Sequence, residues 1–205
     1  MTNRQEFFNS VAVTWDDRFK TQELTPFLSQ LFPTFQLEQG QTVLDVGTGT
    51  GILIPFLLKA VGSRGHVTAV DFAEKMVEVC NLKYAGLSNV NIMVQQVEKL
   101  GFPSEFFDAV TCFGLFPHLE NKEEALRQMN RVLKPGGKLI IAHALSSEEI
   151  KAHHRNASAV AHDMLPNKEE MKHLLKQAGF TQVHITDEPG SYVCSSTKSS
   201  GLMHV

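Results

Sequence analysis

Asp45 and Asp71 are the carboxylates whose neighbours best suit them to hold a ligand. Asp45 lies in Val43-Leu44-Asp45-Val46-Gly47-Thr48-Gly49-Thr50-Gly51, an apolar run that breaks into a glycine-dense turn. Asp71 ends a second apolar run, Val67-Thr68-Ala69-Val70-Asp71, twenty positions after Gly51. An apolar strand, a glycine turn, a helix and a second strand ending in a carboxylate form a nucleotide-binding βαβ unit, in which the second carboxylate can accept both hydroxyls of a ribose. The glycines let a ligand approach the backbone closely. The spacing is G-x-G-x-G, whereas a dinucleotide turn usually reads G-x-G-x-x-G. Asp45, two residues before the first glycine, is an awkward neighbour for a pyrophosphate and a good acceptor for a cationic amino group. An adenosine ligand that carries an ammonium, as S-adenosyl-L-methionine does, fits both carboxylates.

Histidines are the second group with chemical potential. Of nine in the chain, four fall between positions 143 and 162, and His154, Ser158 and His162 would share one helix face at i, i+4, i+8. Three readings remain open. The histidines can be a solvated helix face plus a hydrogen-bonded strand-end residue. They can supply a general base, with His118 and His143 as candidates, because an imidazole near its ordinary pKa can take a proton from an acceptor. His143, His154, His162 and Asp163 can also be read as metal ligands, although their spacing matches no strong metal motif and no metal is assigned.

Four motifs in order resemble the class I S-adenosylmethionine-dependent methyltransferases. Leu44 to Gly51 resembles their first motif, and Val70-Asp71-Phe72-Ala73-Glu74-Lys75-Met76 their ribose-binding second motif. Phe107-Asp108-Ala109-Val110 resembles the fourth strand. Arg131-Val132-Leu133-Lys134-Pro135-Gly136-Gly137-Lys138-Leu139-Ile140-Ile141 resembles the helix, turn and fifth strand. The order Glu98-Lys99-Leu100-Gly101-Phe102-Pro103 before Phe106-Phe107-Asp108 is similar to the ubiquinone and menaquinone C-methyltransferase-like subgroup. The resemblance implies that Asp45 and the backbone of Gly47, Thr48 and Gly49 hold the methionine moiety, and that Asp71 holds the ribose. Phe72 and Met76 would pack on the adenine edge, and Gly51 and Phe113 would complete the cofactor set. Gln95-Gln96-Val97 stands where the family generally has Gly-Asp-Ala. Gln96 can still accept from the adenine amino group, with the Val97 N–H reaching a ring nitrogen. Asp71 has a second reading as N-cap of the helix that follows.

Positioning these residues requires an alternating framework. The apolar pattern predicts strands at 41–46, 65–71, 90–95, 107–113 and 136–143, with helices at 51–61, 73–86 and 121–134. Helices at 146–163 and 167–178 and a hairpin over 180–186 and 191–197 follow. The expected fold is α/β and Rossmann-like: a seven-stranded, mostly parallel sheet with a C-terminal antiparallel hairpin, helices on both faces, and N-terminal cap helices over 1–38. One domain is expected for 205 residues, with the core over 41–197.

A net charge of −3 without a basic stripe argues against a nucleic-acid partner. No apolar run suits a membrane span, and three widely spaced cysteines point to buried thiols and a cytoplasmic protein, monomer or homodimer. Methyl transfer from a sulfonium needs alignment and water exclusion rather than a nucleophilic side chain. Phe7, Phe8, Trp15, Phe113, Phe116 and Met164 could line an apolar pocket for a small aromatic acceptor. The alternatives are a non-catalytic S-adenosylmethionine-binding protein or an NAD-type oxidoreductase.

Overall fold

The computed structural model describes residues 3–84, 86–155 and 163–201. Seven strands, β1 Thr42–Val46, β2 His66–Asp71, β3 Val90–Val94, β4 Phe107–Phe113, β5 Leu133–His143, β6 Phe180–Glu188 and β7 Ser191–Lys198, form one sheet in the order β3-β2-β1-β4-β5-β7-β6. β1 to β5 run parallel, and β7 lies antiparallel between β5 and β6. This is the mostly parallel sheet with a terminal hairpin that the apolar alternation predicts.

Successive strand residues point to opposite faces, and the central strands are apolar on both. Val43, Val67, Ala109 and Ile140 face one side, where they pack against Leu53, Leu57 and Val61 in and beside α4 (Ile54–Val61). Leu28 and Leu31 of α3 (Thr25–Leu31) and Phe32 and Phe35 of the short 3₁₀ turn that follows close the same layer. Leu44, Val46, Val70, Val110, Leu139 and Ile141 face the other side, against α6 (Lys122–Val132) and α8 (Lys168–Gln177). Cys80, Cys112 and Cys194 are free thiols buried in these layers. Burial pushes the Cys80 and Cys194 thiols up to about 12, which leaves them unreactive.

Local chemistry sets the helix ends. Asn121 caps α6 by accepting the Glu124 N–H at 2.9 Å. Capping boxes start α7 (Ser147–His154) at Ser146 with Glu149 and α8 at Asn167 with Glu170. Some boundaries differ from the periodic pattern. α4 begins at Ile54 rather than 51 because the chain first turns through Gly51, with Pro55 in the first turn where no N–H is missed. β5 begins at Leu133, and its register against β4 slips between Phe107 and Ala109, so Lys134-Pro135-Gly136-Gly137 bulges opposite Asp108. α7 ends at His154; Ser158 and His162 lie outside the described residues.

The N-terminal segment comprises α1 (Asn3–Val11), a 3₁₀ turn, α2 (Trp15–Arg18) and a second 3₁₀ turn. It packs on α5 (Glu74–Tyr84) and on the turn after β1. Val11, Ala12, Ala73 and Met76 are its buried centre, with Phe7, Phe8, Trp15 and Phe72 around them.

Candidate active site

Strand order reverses about β1, which pairs with β2 on one side and β4 on the other. In an open α/β sheet that reversal leaves a crevice beyond the carboxyl ends of the strands. The turn after β1 is drawn over β2: the N–H groups of Gly47 and Thr48 donate to Val70 O at 2.8 and 3.0 Å. Asp71 staples the same turn to the start of α5, its Oδ2 accepting Gly49 N–H and its Oδ1 accepting Ala73 N–H, both at 2.9 Å. Asp71 thus joins the glycine turn to the segment that leads into α5.

Asp45 is 2% exposed, and its Oδ1 accepts the Thr111 hydroxyl at 2.8 Å. Burial pushes its carboxyl up to about 6, with the Thr111 hydrogen bond opposing and the charge of Asp71 adding to the rise. Asp71 is likewise pushed up to about 6 by burial, against the backbone N–H groups of Ala73, Gly49 and Phe72. Among the described residues neither carboxylate has an ion-pair partner. Two buried anions without a counter-charge are costly, and a ligand ammonium would supply one.

The glycines divide by role. At Gly47 (φ +68°) a Cβ would lie 2.6 Å from the Leu115 side chain, and at Gly51 (φ +90°) 2.5 Å from the Tyr84 ring. These two are packing glycines. At Gly49 (φ +55°) a Cβ would meet nothing within 4 Å. The turn thus presents open space at Gly49, where a ligand can reach the backbone.

A cleft of about 270 Å³ opens at this point. Gly47, Phe72, Gln96, Val97, Leu115 and Leu119 form most of its wall, with Arg4, His118, Glu98, Glu120 and Asn121 at its polar edge. The structure therefore brings Gly47, Phe72, Gln96, Val97 and His118 together around one space. Asp45, Thr48, Gly49 and Asp71 belong to the strand ends and turn that Gly47 starts. Met76 is 2% exposed under the N-terminal segment and does not line the cleft. Phe113 packs on the opposite face with the α3 and α4 layer and is not among the cleft's lining residues. Phe116 is wholly buried and Met164 is 48% exposed, so neither walls the cleft. Two larger hollows, about 630 Å³ beside β5 to β7 and about 710 Å³ beside α4, share no residue with it.

The candidate histidines separate. His118 sits at the cleft edge with Nδ1 2.7 Å from Asp163 Oδ2. His143 is 6% exposed, its Nε2 has no partner among the described residues, and burial, then the charges of His118 and His154, pushes it down to about 3. It is neutral at ordinary pH and a weak proton acceptor. His154 Nδ1 bonds the Asp163 main-chain oxygen at 2.6 Å. Among the described residues no three His, Cys, Asp or Glu side chains are grouped to hold a metal ion.

Cap helices are expected over 1–38, but the particular contacts by which the N-terminal segment meets Phe72, His118 and the glycine turn carry no motif. Phe8 lies 5.8 Å from Phe72 and 5.6 Å from His118 between ring centroids. Gln5 Nε2 donates to Phe72 O at 2.9 Å, and Asn9 Oδ1 accepts Lys75 N–H at 3.0 Å. Asp16 pairs with Lys83 and accepts the Thr50 hydroxyl at 2.6 Å, tying α2 to the glycine turn. Only the apolar 3.6-residue spacing of Phe7, Phe8, Val11 and Trp15 hinted at this packing.

This strand order, with an acidic residue before a glycine turn and a second carboxylate ending β2, defines a Rossmann-like methyltransferase. A methyltransferase-domain family matches residues 44–141. The ubiquinone/menaquinone biosynthesis C-methyltransferase UbiE of Pseudomonas fluorescens is 34% identical over 210 residues, covering 87% of this chain and 81% of that protein. The UbiE of Vibrio parahaemolyticus is 33% identical over 149 residues; that match takes in 69% of this chain and only 57% of the relative's length. Among solved structures, a SAM-dependent methyltransferase from Aquifex aeolicus is 28% identical with a TM-score of 0.70, covering 87% of this chain and 96% of that one. The chain belongs to the class I S-adenosylmethionine-dependent methyltransferases of the UbiE-like type. That membership sets aside the NAD-type reading. No described helix is long and apolar enough to cross a membrane.

Proposed function

We propose that the protein transfers a methyl group from S-adenosyl-L-methionine to a carbon of a small aromatic acceptor of the quinol type. The observation that carries the acceptor class is the part of the cleft wall that this reading leaves to the acceptor: Leu115 and Leu119 supply apolar surface, while His118 stands with Arg4, Glu98, Glu120 and Asn121 at the polar edge. A flat ring with one hydroxyl matches that wall better than a polar chain does. The UbiE relatives, named for ubiquinone and menaquinone biosynthesis, support the same class.

In this reading Asp45 receives the ligand's ammonium, Gly49 offers its backbone, and Asp71 receives the ribose hydroxyls. Phe72, Gln96 and Val97 wall the adenine. When bound, S-adenosyl-L-methionine supplies an electrophilic methyl group on a sulfonium. The protein's share is alignment, exclusion of water by the N-terminal segment, and a base for the acceptor hydroxyl. His118 takes that last role, because His143 is not among the cleft's lining residues and burial makes it a weak proton acceptor.

The test is methyl transfer from isotope-labelled S-adenosyl-L-methionine to 1,4-dihydroxynaphthalene, simple phenols, total RNA and unfolded protein. Carbon-methylated naphthoquinol is the expected product. Labelling of RNA or protein alone would overturn the acceptor class. Tight cofactor binding without turnover on any acceptor would favour a binding protein instead.

A further inference from the structure

Three side chains far apart in the chain meet at the polar edge of the cleft. His118 Nδ1 lies 2.7 Å from Asp163 Oδ2, and the Arg4 guanidinium of α1 forms an ion pair with Asp163 Oδ1. Asp163 is 3% exposed, and its two oxygens are divided between an imidazole and a guanidinium that reach the cleft. Burial opposes its ionisation, but His118 and Arg4 outweigh burial and hold the carboxyl below its ordinary value. An ionised carboxylate only accepts, so the neutral imidazole must carry its proton on Nδ1 and leave Nε2 as the free acceptor. The ring touches two others, Phe8 edge-on at 5.6 Å and His154 tilted at 4.9 Å between centroids. The titratable or charged groups around it are Arg4, Glu98, Glu120, Lys122, His143, His154 and Asp163.

We propose that Asp163 is a positioning residue that fixes His118 as the base, and that Arg4 makes the pair depend on α1 lying closed over the cleft. The inference rests on the small-acceptor reading above. The acceptor's hydroxyl proton passes to His118 Nε2. Its oxygen's electron pair is pushed through the ring to the carbon that bonds the methyl group as the carbon–sulfur bond breaks, leaving a neutral thioether. The ring C–H proton is then lost to water and aromaticity returns. His118 gives its own proton to solvent before the next cycle. An open strap has Arg4 away from Asp163, so the base is assembled only after the cleft is covered.

The test compares the full chain with Asp163→Asn, Arg4→Ala and Arg4→Lys in two measurements. In the first, ¹⁵N–¹H correlation of the imidazoles, with His118→Gln for assignment, is expected to show a protonated Nδ1 and a bare Nε2 on His118, lost in Asp163→Asn. A protonated Nε2 in the parent protein would overturn the dyad. This measurement needs no acceptor and so stands even if the quinol reading fails. In the second, kcat with 1,4-dihydroxynaphthalene is expected to fall about 10²-fold or more in Asp163→Asn, the lower end of general-base contributions, with KM and cofactor affinity within about threefold. The deficit should shrink as pH rises and ionises the acceptor itself. Arg4→Ala should show a smaller deficit that Arg4→Lys restores in part. A loss of equal size at every pH, as from a merely structural residue, would overturn the inference.

Discussion

Asp45 and Asp71 are buried carboxyl groups at the ends of neighbouring strands, and the charge of Asp71 raises the pKa of Asp45. Each is pushed up to about 6, above the 3.8 of an unperturbed aspartate. The folded chain therefore holds extra protons between about pH 4 and 6. What these groups contribute to stability is greatest below about pH 4 and falls as pH rises through 6. At about 1.4 kcal/mol per unit, ionising either one costs on the order of 3 kcal/mol.

A cationic ligand selects the ionised form and reverses that cost. On the proposed reading, affinity for S-adenosyl-L-methionine is expected to be complete above about pH 6 and to decline as pH falls below it. We expect Kd at pH 5 to be about tenfold weaker than at pH 7.5. Titration calorimetry in two buffers of different ionisation enthalpy should also show proton release near pH 6. A Kd that is flat over this range would mean that neither carboxylate faces the ammonium.

Gly49 and Gly47 give opposite signatures. Gly49→Ala introduces a methyl where nothing lies within 4 Å, at a φ of +55°, so its cost in the ligand-free protein is left-handed strain of about 1 kcal/mol. It should nonetheless weaken cofactor binding at least tenfold, because the methyl fills the ligand's approach to the backbone. Gly47→Ala drives a Cβ to 2.6 Å from Leu115 and should lower the melting temperature of the ligand-free protein. Thermal scans with and without S-adenosyl-L-homocysteine separate the two. A Gly49→Ala protein with unchanged affinity would remove that position from the site.

The sheet was legible because its central strands carry apolar residues on both faces, a pattern that no surface strand needs. Boundaries failed where loop chemistry competes with periodicity, as at Lys134 to Gly137, where a bulge extends β5 by pairing Leu133 with Phe107. The glycine turn was readable because the positive φ of Gly47, Gly49 and Gly51 restricts residue type locally. The face taken by Phe113 follows from period two. Val110 and Cys112 point to the α6 layer, which turns Ala109 and Phe113 to the other face. Arg4, His118 and Asp163 carry no shared signal, since their meeting depends on separations of 45 and 159 residues closed only by tertiary packing.

The tie between α2 and the glycine turn is open to proteolysis. Asp16 accepts Thr50 and Thr21 hydroxyls at 2.6 and 3.1 Å and pairs with Lys83. Because this ion pair is partly exposed, its loss is worth about 1 kcal/mol. Asp16→Ala should speed trypsin cleavage at Arg18 and Lys20 severalfold. S-adenosyl-L-methionine should slow cleavage of the parent protein more than of the variant. Equal rates would show that α2 is held by its apolar face, Trp15 and Phe19, alone.

His143 and Tyr192 are a cross-strand pair of β5 and β7 with ring centroids 6.2 Å apart, and both polar atoms, Nε2 and the hydroxyl, are buried without partners among the described residues. An unsatisfied buried polar group costs about 1–3 kcal/mol, so His143→Phe should leave the protein as stable or more so at pH 7.5. The imidazole is pushed down to about 3, below its ordinary 6.5, so its contribution is complete above pH 6.5 and is lost as pH falls toward 3. The variant lacks that loss. Its advantage should widen by about 1.4 kcal/mol per unit below pH 6.5, reaching about 3 kcal/mol at pH 4.5. Calorimetric melting at pH 7.5, 5.5 and 4.5 reads this directly. A constant gap would mean that His143 titrates in contact with solvent, and would restore it as a candidate base.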